Sequence, residues 1–168
     1  MNKTKTIALV SLMAALSIIL SIEPFAIPII VGPFNSNIHF SQIPIFISGV
    51  LAGPWAGLLT GAIGGLYMSA IRIPFIIGGF ALLGLAIGFF VKKLKIRLMF
   101  AGILAWCIQA PYVLVTDYIW LVYFTEMPST VVLTTISTIL LKLTVESLIA
   151  TIFVVILIPY IKRLELFT

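Results

Sequence analysis

The chain has 168 residues, 62% of them hydrophobic and only 9% charged, with a mean hydropathy of +1.28. A soluble domain averages about 45–50% apolar and about 25% charged, so an ordinary soluble fold is excluded, and continuous apolar runs exclude a barrel, whose strands alternate in polarity. The net charge of +5 comes mainly from three clusters (Lys3 and Lys5; Lys92, Lys93, Lys95 and Arg97; Lys162 and Arg163), with no basic stripe among exposed aromatics, so nucleic acid is not an expected partner.

With spans of about 20 residues there is room for roughly six helices. The positive-inside rule puts all three basic clusters, and with them both termini, on the cytoplasmic face. The expected fold is therefore an all-α integral membrane protein, a compact bundle of six transmembrane helices in one domain, multi-pass in the cell membrane. Expected spans lie near residues 4–22, 39–53, 54–70, 75–91, 98–124 and 130–160.

The first run, Thr4 to Ile22, follows two lysines and in outline also resembles a signal peptide, but no soluble mature domain follows for export. Ala8, Ser11 and Ala15 share one helical face, suited either to internal packing or to docking another membrane protein. Pro24 to Ile38, with three prolines, Gly32, Asn35, Ser36 and Asn37, predicts a structured extracellular loop, either a lid or a plain connector. His39 and Gln42 stand where the second helix begins.

From Phe40 to Ala70 the chain is almost wholly apolar, with glycine at every fourth position from Gly49 to Gly65. Gly53-Pro54 cuts this stretch, because proline lacks a backbone donor and fits the first turn of a new helix. An inward helix, a cytoplasmic turn and an outward helix follow, and Gly57, Gly61 and Gly65 form a small-residue seam that lets helices approach closely in lipid. The fourth span carries Gly78, Gly79, Gly84 and Gly88, and Arg72, in the turn before it, suits an interfacial anchor.

Ionisable groups within spans are expensive and mark function. Lys142 and Glu146 are four apart on the sixth helix, so they share a face and can neutralise each other; Lys142 lies roughly 18 Å from the outer end of that span at about 1.5 Å per residue. Gln109 falls at similar depth on the fifth helix, followed outward by Tyr112, Thr116 and Asp117. Trp120 and Tyr123 suit an aromatic belt. His39 suits either a loop hydrogen bond or a ligand contact. One histidine and one cysteine supply neither a zinc set nor a disulfide. No nucleophile, base and orienting group occur together, and there is no phosphate loop or dinucleotide motif, so neither catalysis nor a cofactor is expected and any ATP hydrolysis must occur on another chain.

Ser48 to Leu66, SGVLAGPWAGLLTGAIGGL, preceded by FSQIP, resembles the G-P-x-x-G turn between the second and third helices of the substrate-binding S components of energy-coupling factor (ECF) vitamin transporters. The resemblance extends to length, span order and topology. It implies a subunit that binds a vitamin-like small molecule from outside at high affinity, associates with a transmembrane coupling protein and cytoplasmic ATPase subunits, and topples in the membrane to release its cargo. It further implies a partner interface at Ala8, Ser11 and Ala15, with serine replacing the first alanine of the family's A-x-x-x-A motif. The ligand site it implies draws on Asn35, Asn37 and His39 in the first loop, Trp106, Gln109 and Tyr112 on the fifth helix, and Lys142 and Glu146 on the sixth. The residues leave open a different class of function, a self-sufficient ion-coupled transporter with Glu146 as proton carrier, and, less well supported, a lipid-acting enzyme.

Overall fold

The structure, a computed structural model, describes residues 2–31 and 34–163, with the side chains of residues 29–31, 34–36, 129 and 162 outside the description. Helix α1 (Lys3–Ile19) starts at Asn2, whose side-chain oxygen accepts from the Thr4 N–H. A short 3-10 turn (Glu23–Phe25) leads into strands β1 (Ile27–Val31) and β2 (Phe34–Ile38). They pair antiparallel, with Ile27 opposite Ile38 and Val31 opposite Phe34. The described residues are otherwise overwhelmingly helical, as expected, and the hairpin corrects only the reading of this segment as a loop. The segment read as a loop from its prolines and asparagines holds four β-branched residues in β1, a composition that favours extended backbone.

Helix α2 (Gln42–Ala52) is the centre of the molecule: every residue from Gln42 to Val50 is buried. Its apolar side chains Ile43, Phe46, Ile47 and Val50 join one core cluster with residues of three later helices, among them Leu83, Ala105 and Val154. A helix apolar all round is one that other helices surround. It begins at Gln42 rather than residue 39, and its 11 residues reach only about 16 Å, short of a hydrocarbon layer of about 30 Å.

At Gly53 the backbone takes φ +96°, and Pro54 opens helix α3 (Pro54–Gly64). A left-handed residue between two helices is what glycine supplies without a Cβ clash. The expected span 54–70 is divided at Gly65 into α3 and a short helix α4 (Leu66–Ile71). Helix α5 (Ile76–Lys92) then lies against α3 so closely that a Cβ at Gly57 would overlap the carbonyl of Gly84, and one at Gly84 the carbonyl of Gly57. The same holds for Gly61 against the Phe80 carbonyl, and a Cβ at Gly88 would come within 2.7 Å of the Gly53–Pro54 backbone. The four-residue rhythm is thus a backbone-to-backbone contact between two helices, the arrangement small residues permit.

Helices α6 (Leu98–Tyr123) and α7 (Ser129–Arg163) complete the core and are long and apolar enough to cross a membrane. Helix α1 turns Leu9, Val10, Ala14 and Ser17 inward, and the Ser17 hydroxyl donates to the Ser41 carbonyl at 2.9 Å. Ala8, Ser11 and Ala15 are exposed on the opposite face.

Candidate functional site

Helical spacing brings polar residues of separate elements to one cavity. On α7, Ile139, Lys142, Leu143 and Glu146 follow the i, i+3, i+4, i+7 pattern of a single stripe. On α6 the matching stripe is Gln109, Val113, Thr116 and Asp117. These two stripes, with His39 and Ser41 before α2, Met68 on α4, Arg72, Ile73 and Phe75 in the following turn, and Ile76, Gly79 and Phe80 on α5, enclose about 730 Å³ counted out to the open mouth. Small-molecule sites typically have apolar walls and a few placed polar groups, as this cavity does. Gly79 faces Gln109 and Val113 across the cavity wall, at ordinary contact distance.

Glu146 anchors one wall. Its Oε1 accepts from the His39 backbone N–H at 2.7 Å and lies 3.6 Å from Lys142 Nζ. Its Oε2 accepts from Gln42 Nε2 at 3.4 Å. One carboxylate therefore ties α7 to the start of α2 and to the strand-to-helix connection. The Lys142–Glu146 pair is almost fully buried, so each charge depends on the other for neutralisation.

Other polar groups have no such partner. Both ring nitrogens of His39, the Ser41 hydroxyl and Gln109 Oε1 are buried without a hydrogen bond among the described residues, in side chains only 1–3% exposed. All three residues line the cavity. A buried polar atom left unmatched costs about 1–3 kcal/mol, and several converging on one cavity leave that cavity ready to take complementary groups.

Of the residues singled out from sequence, His39, Gln109, Lys142 and Glu146 meet in this cavity. Tyr112 does not line it; its hydroxyl donates to the Phe75 carbonyl at 3.3 Å and lies over Gly78. Trp106 falls on the same α6 stripe as Gln109 but one turn nearer the helix start, outside the cavity, with its indole N–H buried and unpartnered among the described residues. Asn37 stands opposite Pro28 in the hairpin, half-buried and outside the lining. Asn35 is placed in β2 by its backbone, and its side chain lies outside the described residues. Sequence reasoning did not place Arg72, Asp117 or Gln42 at the site. A carboxylate two turns beyond Gln109 on the same stripe was the available signal for Asp117.

A family model for the S component of ECF-type riboflavin transporters matches residues 1–163. The chain belongs to this family. As an S component it is a membrane transport protein of the substrate-binding, vitamin-uptake kind, and its family is not an enzyme family. No curated protein matches the chain.

Proposed function

We propose that this S component crosses the membrane six times with both termini cytoplasmic, and captures riboflavin or a close flavin from outside for uptake driven by ATP hydrolysis on partner subunits. The observation that carries this reading is the cavity lined by the unpartnered polar groups of His39, Ser41 and Gln109. Phe75, Phe80 and Met68 supply apolar walls for a flat heterocycle, and Lys142, Gln109 and His39 suit its polar edge. Orientation is supported by the chain path. Each helix contributes to the cavity the part remote from the Gly53 turn and from Lys92, Lys93, Lys95 and Arg97, the cluster that marks the cytoplasmic side.

The exposed small face of α1 at Ala8, Ser11 and Ala15 is the proposed contact with the coupling protein, since internal packing uses the other face. Native mass spectrometry of the protein as isolated tests the reading. A bound species with the mass of riboflavin at one per chain is expected. Protein that is isolated empty and fails to take up added riboflavin would contradict it.

A further inference from the structure

Asp117 is a carboxylate on a helix read as spanning the membrane, only 5% exposed and lining the cavity. Holding such a group in a span is costly unless it has work to do. Nothing nearby neutralises it: among the described residues the one ion pair is Lys142–Glu146, so neither Arg72 nor Lys142, the cations of the same cavity, reaches Asp117. Among the described residues its single side-chain hydrogen-bond contact is Thr116 Oγ1 at 3.5 Å. That hydroxyl has one proton and lies closer to the Tyr112 carbonyl, at 2.9 Å, so it leaves the carboxylate essentially without a donor.

An ionised carboxylate is an acceptor only; what it lacks is a hydroxyl or N–H from the ligand. We infer that Asp117 is a specificity-determining residue that accepts hydrogen bonds from the hydroxyls of a polyol chain carried by the ligand. This rests on the flavin reading above. The polar edge of a flavin ring offers two carbonyl acceptors, which suit the donors Lys142 and Arg72, and a single N–H between them, whereas the chain offers several hydroxyl donors. Gln109 and Asp117 lie eight residues apart on α6, about 12 Å along the axis, which gives ring and chain separate places in one cavity.

Riboflavin is compared with lumiflavin, the same ring system with a methyl group in place of the polyol, by quenching of flavin fluorescence on the purified full chain. Wild-type protein should bind riboflavin more tightly than lumiflavin. Asp117→Ala should weaken riboflavin roughly 10- to 100-fold, the range for hydrogen bonds to a charged group, and change lumiflavin by less than about threefold. Retained lumiflavin binding then shows that the variant is folded. Where Asp117→Ala binds neither ligand, Asp117→Asn, which keeps the size and one acceptor, decides: a loss confined to riboflavin supports the assignment. Equal losses for both ligands, or none, would overturn it while leaving the flavin reading intact. Wild-type protein that binds neither flavin would instead remove the reading on which it rests.

Discussion

Two regions of this S component solve opposite problems. Where α3 meets α5, side chains have been removed until two backbones touch, and Gly57 and Gly84 block each other's Cβ positions. Where α6 faces α7 and the start of α2, side chains have been kept polar, and His39, Ser41 and Gln109 hold buried atoms with nothing to bond. The first region is saturated with contacts; the second is left incomplete. The contrast teaches that rigidity and recognition are separated in the molecule: the glycine seam fixes α5, one wall of the cavity, against α3, and the unmatched polar groups lie away from it. Such groups cost stability in the empty protein and return it when a ligand supplies the missing partners.

Breaking the saturated side should have the largest effect. Gly57→Leu forces a side chain into the Gly84 carbonyl, where only backbone movement could make room, so a loss of about 3 kcal/mol or more is expected. Thermal unfolding in detergent should find little folded protein. Next comes the charged wall of the cavity. Lys142→Ala leaves Glu146 as an uncompensated buried charge, which costs about 3–5 kcal/mol, and riboflavin binding should weaken with it. The double variant Lys142→Met, Glu146→Gln should recover most of the stability but not the binding. Recovery of both would make the pair structural only.

A smaller effect, of opposite sign, sharpens the comparison on the incomplete side. Gln109→Leu removes an unmatched buried oxygen in a side chain of similar volume, so the melting temperature of the empty protein should stay level or rise. A clear fall would mean that Gln109 has a structural partner. The smallest effect on the fold is expected at Ala15→Trp, because Ala15 is exposed on α1. Stability and riboflavin binding should be unchanged while co-purification with the coupling protein is lost; normal assembly would reject the α1 interface.

Much of the saturated region was legible in the sequence. The glycine period and Gly53-Pro54 determine a close helix contact and a tight turn locally, without reference to the rest of the chain. Lys142 and Glu146 were also legible, because two charges four residues apart in an apolar run share a face whatever surrounds them. Residues 27–38 were less so: the two strands pair locally, Val31 with Phe34 and Ile27 with Ile38, but their prolines and asparagines mark a loop equally well. The short reach of α2 was hidden for the same reason, since the apolar run begins before the helix does. On α6 the spacing restricts which residues share a stripe but not where the cavity begins and ends along it. Trp106, a turn nearer the helix start, is therefore outside, and Asp117, two turns beyond Gln109, is inside. Tyr112 is turned away by its bond to the Phe75 carbonyl, a contact with another helix turn that no local pattern announces.

The most direct test of the central claim, that the unmatched polar groups of the cavity are the ligand's partners, is a riboflavin titration of wild-type protein beside His39→Leu and Gln109→Leu. Wild-type protein should quench flavin fluorescence at one equivalent, and each variant should bind at least about tenfold more weakly while melting no lower than wild type when empty. Variants that bind riboflavin as tightly as wild type would contradict the account.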